Sequence, residues 1–491
     1  MTALLTRRGI LAGLASSASG MALAGAPDAS MRPLPRGARP KKLIVPSEAV
    51  VARTNLSGDV GFAVADAETG EVLEARLGGQ RLPPASTLKV VTALYAMDKL
   101  GPTHQFATRV FANGPVVEGK LNGDLVLVGG GDPTLDTDRL ADLAKAVREA
   151  GISEVTGRLL VWSNALPSGE RIDGDQPEHV SYNPSYSGIN LNFNRVHFEW
   201  KRTKDKQYDI TMQARALRFR PATNVAQMAI VDKSSPVFAY RRSPGRDRWF
   251  VARKALGTEG ARWLPVRFPA LYAGDVFRTL ARSNGIVLPA PELVGVLPKG
   301  EELARVEGPI LVEVLRSMLK YSTNLTAEIS GLSASSTYGP GLASLETSAG
   351  RMAGWARSNF GTMGVRFRDH SGLGYGSTMS AEDMVQILAA NRQIRPFLKT
   401  VNLTLNKGRP APKGVEVHAK TGTLNYVSTL AGFVTPSNGR ALSFAIFTAD
   451  TARRDAIPPE ARERPPGSRT WARRSRQLQK ELIRGWVDQY T

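Results

Sequence analysis

Ser86 and Lys89 stand three apart in "PPASTLKVV", residues 83–91, directly after two prolines. A serine hydroxyl is a weak nucleophile at neutral pH and needs an adjacent base. On a helix, a three-residue spacing brings both side chains to one face. A lysine accepts a proton only where burial or a nearby cation lowers its pKa. A helix N-terminus adds backbone N–H groups and a positive dipole end, which favour developing negative charge. The pair alone proves nothing. Ordinary serine and lysine usage yields roughly one or two such spacings in a long chain, and Ser317 and Lys320 in "RSMLKYS" form a second.

Two further motifs change the odds. "YSTN" supplies Ser322 and Asn324, and "HAKTGTL" supplies Lys420, Thr421 and Gly422. Each is weak alone, since Ser322 reads equally well as a helix cap and Lys-Thr-Gly as a turn. Together, in the order Ser-x-x-Lys, Ser-x-Asn, Lys-Thr-Gly, they match the set of the penicillin-recognising serine enzymes. The order also sorts the two Ser-x-x-Lys pairs. Ser317 sits just before Ser322 in an apolar helix, which leaves no room for a separate nucleophile helix, so Ser317 and Lys320 read as plain helix residues. A Ser-His-Asp triad is disfavoured because no Gly-x-Ser-x-Gly elbow occurs and the histidines (His104, His179, His197, His370 and His418) are scattered. No His-Glu-x-x-His pattern points to a zinc peptidase.

The elements that must position these residues are legible in outline. "DVGFAVADAETGEVLEAR" alternates Val60, Phe62 and Val64 on one face and turns at Glu68-Thr69-Gly70, which predicts a β-hairpin. Leu88, Val91 and Leu94 give a helix over Thr87–Leu100 that stops at Gly101-Pro102. From about residue 106 short β-like runs dominate, with one amphipathic helix carrying Leu140, Leu143, Ala144 and Val147 and ended by Gly151. "GDLVLVGGGDPTL" is a strand and a glycine-rich turn without the lysine of a phosphate loop. Residues 190–280 read as β-rich and irregular, followed by a helix near Ala273–Asn284. Helical periodicity returns after residue 305. "HAKTGTLNYVSTLAGFV" and "ALSFAIFTA" read as neighbouring strands. The Arg/Pro-rich run 452–476 reads as a surface excursion, and "RQLQKELIRGWVDQY" as a closing amphipathic helix.

At 491 residues the chain exceeds a single core and suggests two or three domains. Its 42% hydrophobic and 22% charged content is that of a folded globular protein. The formal net charge of +20 invites a nucleic-acid reading, but the basic residues are dispersed and no nucleic-acid motif accompanies them. An anionic cell-envelope surface fits better. At the N-terminus, Arg7-Arg8 precede a mildly apolar run from Gly9 to Ala24 with small residues at Ala22-Leu23-Ala24. This pattern reads as an export signal of twin-arginine character over 1–26, followed by a basic, Pro-rich linker over 27–46. No later stretch is long and apolar enough to span a bilayer, so no transmembrane segment is expected in the mature chain. With no cysteine, neither disulfides nor a lipidated cysteine is available.

The chain resembles the low-molecular-mass, class C penicillin-binding proteins of peptidase family S13, which are D-alanyl-D-alanine carboxypeptidases and endopeptidases. "PPASTLK", "GDLVLVGGGDPTL", "KYSTNLTAE", "DHSGLGYGS" and "AKTGTL…STLAGFV" are similar to its segments in its order, from about residue 45 to the end. The resemblance implies an α/β (α+β) fold. A transpeptidase-like catalytic domain, with an antiparallel sheet flanked by helices, would comprise 47–105 plus 305–491. A β-rich accessory region would be inserted over 106–304. It also implies roles. Ser86 attacks the carbonyl between two D-alanines and forms an acyl-enzyme, with Lys89 as base. Ser322 relays a proton to the leaving amine. Asn324 holds the substrate backbone and Lys89. Lys420 supplies positive charge for the terminal carboxylate, which Thr421 and Thr423 hydrogen-bond beside Gly422. The backbone N–H groups of Ser86 and Thr423 form the oxyanion hole. No metal or cofactor is required. The implied partners are peptidoglycan stem peptides and β-lactams, and the implied location is exported and periplasmic.

The sequence departs from the family pattern in two places. Thr323 stands at the tolerated middle position of Ser-x-Asn, and His370 stands where glycine is usual, which bears on substrate preference. A serine β-lactamase shares the site but must clear its acyl-enzyme quickly, and the long insertion argues against it. A non-catalytic envelope-binding protein of the same fold is disfavoured by three intact motifs.

Overall fold

The computed structural model describes residues 45–491 apart from 235, 340, 341, 406–408 and 438. The expected export signal and nearly all of the expected linker lie outside the described residues. The molecule is mixed α and β. Its organising element is a six-stranded antiparallel sheet in the order Lys399–Thr400, Val415–Leu424, Val427–Pro436, Leu442–Ala449, Asp59–Asp66, Val72–Arg76. The N-terminal hairpin thus closes onto the last strand of the chain, with Asp59 paired to Ala449 and Asp66 to Leu442. The hairpin turns where the Asp66 carboxylate accepts the backbone N–H groups of Glu68 and Thr69, and Gly70 takes the positive φ the reversal needs.

Alternation along these strands sends side chains to two different cores. Ala63 and Ala65 face a layer of helices that includes Leu88–Leu100, Leu311–Tyr321, Asn324–Ser336, Leu345–Phe360 and Ala381–Ala390. Val60, Phe62 and Val64 face the opposite layer, built by Ser47–Thr54 and the closing helix Ser468–Tyr490. There the fully buried Trp486 lies 5.5 Å from the Phe62 ring. Truncating such an aromatic residue typically costs about 3–5 kcal/mol. The closing helix begins at Ser468, inside the arginine-rich run, because Trp471, Ala472 and Ser475 continue its buried stripe at helical spacing.

The chain between Gln105 and Ile310 builds a third core of its own. A five-stranded sheet orders Pro291–Val294, Leu159–Trp162, Asp124–Gly129, Gln105–Asn113 and Glu301–Ile310. The helices Thr137–Glu149 and Pro269–Ser283 pack with it around Leu140, Leu143, Val161, Tyr272 and Phe277. Asp136 caps the first of these helices by accepting the Arg139 N–H. Three three-stranded sheets complete the region. Gln105–Asn113 and Glu301–Ile310 pair antiparallel with each other, so the long excursion leaves and re-enters at adjacent strands. Among the described residues, no helix is long and apolar enough to cross a membrane.

Candidate active site

Ser86 sits in a single 3₁₀ turn, Ala85–Thr87, that runs straight into the Leu88–Leu100 helix. Entry to this turn is strained: Ala85 has φ +46°, a conformation costing about 1 kcal/mol or more for a residue with a Cβ. The turn is held from two sides. The Thr429 hydroxyl donates to the Pro84 carbonyl at 2.8 Å. On the other side Gly372, at φ +74°, packs so closely on the Ala85 carbonyl that a Cβ would overlap it. Lys89, one helical turn on, is fully buried. Its Nζ lies 2.9 Å from Ser86 Oγ, 2.7 Å from Asn324 Oδ1 and 2.8 Å from the Ser371 carbonyl.

Burial pushes the Lys89 ammonium down to about 8, against the opposing pull of the Glu328 and Asp369 carboxylates. A lysine in this range is partly neutral near neutral pH and can take a proton from a hydroxyl. Glu328 is itself buried, and desolvation pushes its pKa up to about 8. It accepts the backbone N–H groups of His370 (2.8 Å) and Ser371 (3.0 Å). It therefore fixes the peptide whose carbonyl holds Lys89. Asp369, raised mainly by burial, accepts the Gly372 N–H at 2.8 Å and the Gly374 N–H, and so shapes the same loop.

Ser322 and Asn324 occupy a sharp corner between two helices. Leu311–Tyr321 ends with Ser322 in the left-handed region (φ 59°), and Asn324 starts the next helix. The break turns both side chains into the cleft, where they line the wall with Ser86 and Thr423. Asn324 is committed at both ends: its Nδ2 donates to the Tyr182 carbonyl at 2.8 Å, which joins the Gln105–Ile310 region to the site. Ser322 Oγ accepts from Lys420 Nζ at 2.9 Å, and Lys420 also donates to the Thr421 carbonyl at 2.7 Å. Burial, with the repulsion of Lys89 and Lys399, holds Lys420 well below the ordinary lysine range.

Lys420 lies on the Val415–Leu424 strand. The edge strand Lys399–Thr400 pairs only with Ala419 and His418. Among the described residues, the strand's outer edge from Lys420 to Leu424 carries no strand partner, and it runs beside Ser86. Gly422 is required there because a Cβ would come within 2.9 Å of the Ser86 backbone nitrogen. Thr421 and Thr423 are exposed on the alternate face, and of these two Thr423 lines the cleft. Ser317 and Lys320 lie exposed on the outer face of their helix, and Lys320 sits over the Tyr321 ring.

Two expectations change. His370 does not face the substrate. Its ring is fully buried beneath the Asn324–Ser336 helix, against Gly331, with Nε2 2.8 Å from Ser348 Oγ. Burial pushes it down to about 3, so it is neutral, and its bearing on the site runs through its backbone N–H on Glu328. The arginine-rich run 452–476 is no free surface excursion: Arg454, Arg462, Arg464, Arg469 and Arg476 line the cleft, whose volume is ≈ 1070 Å³. The run docks because Arg462 Nη1 donates to the Asp175 carbonyl at 2.8 Å and Glu463 pairs with His179 and Arg262. Glu328 carries a readable signal, since four residues after Asn324 on a helix shares its face. The Tyr182 and Ser371 carbonyls carry none, because any residue supplies a carbonyl.

The profile of the D-Ala-D-Ala carboxypeptidase 3 (S13) family matches residues 47–464. The chain belongs to that family. Its members are hydrolases, serine peptidases that act as D-Ala-D-Ala carboxypeptidases, and this chain is one of them. It is 29% identical over 470 residues to a D-alanyl-D-alanine carboxypeptidase of Actinomadura sp. (strain R39), covering 86% of this chain and 84% of that one. It is 25% identical over 416 residues to the D-alanyl-D-alanine carboxypeptidase DacB of Haemophilus influenzae, covering 79% and 85%. The crystal structure of penicillin-binding protein 4 (dacB) from H. influenzae superposes with a TM-score of 0.72 at 20% identity, over 89% of this chain and 99% of that one. The S13 fold, a transpeptidase fold with inserted domains, is therefore the fold of this chain.

Proposed function

We propose that this S13 carboxypeptidase works through an acyl-enzyme on Ser86. The observation that carries the reading is the 2.9 Å approach of Lys89 Nζ to Ser86 Oγ at the floor of a cleft that also holds Ser322 and Asn324. Ser86 Oγ attacks the carbonyl carbon of the penultimate D-alanine as its proton passes to neutral Lys89. The developing oxyanion is met by the backbone N–H groups of Ser86 and Thr423, beside Gly422. The C–N bond then breaks, and the departing D-alanine nitrogen takes the proton that Lys89 received, relayed through Ser322, which Lys420 holds at 2.9 Å, so Lys89 is neutral again. Lys420 and Thr423 receive the terminal carboxylate, with Thr421 on the same strand face supporting them. Water attacks the ester, Lys89 accepts the water's proton and passes it to Ser86 Oγ as the ester bond breaks, and the shortened peptide leaves.

The same attack on a β-lactam carbonyl opens its ring and leaves a covalent adduct. The substrates are peptidoglycan stem peptides, as terminal D-alanine donors and as cross-links, encountered in the periplasm after export. Residues 47–105 and 305–491 form the catalytic domain and 106–304 the inserted accessory region. In support, the buried core of the inserted stretch draws its residues from Val110 to Ala304, and the helix-layer core beside the site draws none from that interval.

Purified protein incubated with a peptide ending in D-Ala-D-Ala releases free D-alanine, and the Ser86→Ala variant releases none. D-alanine release that survives Ser86→Ala overturns the reading.

A further inference from the structure

No step of the reaction uses the interior of the Gln105–Ile310 region, yet a fully buried guanidinium there faces the loop that reaches the site. We infer that Arg267 is a positioning residue for the reaction at Ser86: it clamps the 169–186 loop so that the Tyr182 carbonyl sets the sense of the Asn324 amide. The inference rests on the proposed acyl-enzyme reaction and extends its machinery into the inserted stretch.

Arg267 stands in "LPVRFPA", between the strand Glu259–Pro265 and the helix Pro269–Ser283. Both elements belong to the core of that region, so the side chain starts from a rigid base. The Arg267 backbone N–H donates to Asp247 Oδ2 at 2.8 Å, and the Tyr240 hydroxyl donates to Asp247 Oδ1 at 2.8 Å. The Arg267 side chain is 1% exposed. Burying a charge costs several kcal/mol, which its contacts must offset. Nη1 donates to the carbonyls of Glu170 at 2.7 Å and Asn183 at 2.9 Å, and Nη2 to that of Glu178 at 2.6 Å. Its ion pair with the Glu178 carboxylate is longer, at 3.7 Å. The planar fork is thus aimed at three main-chain oxygens of one loop.

That loop is compact. Gly169 and Tyr186 pair across its neck, N–H to carbonyl in both directions at 3.0 Å. Inside it, Asn183 Oδ1 accepts the N–H groups of Ile172 and Asp173, each at 3.0 Å, and Nδ2 donates to the Asp173 carbonyl at 2.7 Å. Closed ends and a self-packed interior make an Ω-loop. Tyr182 immediately precedes Asn183, which is held both from within the loop and by Arg267, so its carbonyl has little freedom.

A carbonyl can only accept. The Tyr182 carbonyl therefore takes the Nδ2 end of Asn324, at 2.8 Å, and turns Oδ1 toward Lys89 Nζ, at 2.7 Å. With the amide reversed, its donors would face the donors of the lysine, and the hold on the base would be lost. Arg267 touches none of the reacting groups and acts on Lys89 through the loop and Asn324.

The test is a double-mutant cycle on acylation by a fluorescent penicillin, with active sites counted from the stoichiometry of labelling so that misfolded protein does not enter the rate. Arg267→Lys keeps the charge but presents one ammonium in place of the fork. It should slow acylation by about 10–100-fold, the scale of a small misplacement at a reacting group. In an Asn324→Ala background the same change should alter the rate by no more than about twofold, because the link through the amide is already cut. Equal falls in the two backgrounds overturn the inference, as does an Arg267→Lys rate equal to that of the wild type. Should Arg267→Lys fail to fold, Asn183→Ala, which loosens the loop from within and leaves the buried arginine in place, carries the same cycle with the same deciding results. The Asn324 side-chain amide, identified in heteronuclear magnetic resonance spectra by its loss in Asn324→Ala, gives a reading without turnover. Its resonances move in Arg267→Lys, and unmoved resonances also overturn the inference. A wild type that takes no label strikes the reaction at Ser86 instead, and the amide resonances still decide whether Arg267 sets Asn324.

Discussion

The floor and the arginine wall of the cleft face the same space but are built on opposite principles. At the floor, Lys89 and Lys420 are enclosed, depressed in pKa by burial, and committed to named partners within 3 Å. On the wall, Arg464, Arg469 and Arg476 stay exposed to solvent. Taking an ammonium out of water costs several kcal/mol. That cost is tolerable only where the charge is held in place or the proton is given up, which is what a reacting group needs. An exposed guanidinium incurs no such cost and suits attraction of a charged ligand. The difference teaches that one cleft holds its positive charge in two electrostatic regimes, enclosed at the floor and solvated on the wall.

The comparison breaks most visibly at the floor. Replacing Lys89 with alanine removes the proposed base and the clamp on Asn324, and acylation should slow by about 10³–10⁴-fold, at the upper end for a general base. With Lys89 in place, acylation by a β-lactam should rise with pH up to about 8 and level off above it, because only the neutral amine accepts the serine proton. A profile that is flat between pH 6 and 9 would contradict that. Gly422→Ala should cost about 10²-fold in kcat, since its Cβ must push the strand from the Ser86 nitrogen and widen the oxyanion hole. Wild-type kcat in that variant would show that the close approach is not used.

Glu328→Gln sharpens the same side more gently. Where it is ionised, the Glu328 carboxylate raises the Lys89 pKa, so its removal should move the upper part of the rising limb, near pH 8, to lower pH. The plateau should fall about tenfold as the Ser371 carbonyl loosens its hold on Lys89. A lower plateau without the shift would leave Glu328 a merely structural residue. The smallest effect belongs to the wall. Arg462→Ala breaks a partly exposed pair with Asp175, so stability should change by no more than about 1 kcal/mol. KM for a long peptide should nevertheless rise about threefold while kcat stays level, because the wall loses an anchor rather than a reacting group.

The floor was legible because its spacing is enforced. Ser86 and Lys89 must share a helix face, and Ser322 and Asn324 must flank a helix break, whatever surrounds them. The hairpin was legible from the alternation of Val60, Phe62 and Val64, and the S13 resemblance supplied the roles and the insertion that spacing alone does not give. The wall was opaque because arginine and proline in a long run carry the composition of a solvated segment. What pins the run is its docking on Asp175, His179 and Arg262, far away in the chain, and no local pattern records such contacts. The place of His370 was hidden for a related reason. The sequence shows a histidine where glycine is usual, but not that the space left by Gly331 draws its ring into the core.

The central claim is that Ser86, and not the matching Ser317, is the nucleophile. Incubation with penicillin, followed by proteolysis and mass spectrometry, tests it directly. The account predicts a single penicilloyl adduct on the peptide containing Ser86, absent from Ser86→Ala and undiminished in Ser317→Ala. An adduct on Ser317, or one that persists in Ser86→Ala, would contradict it.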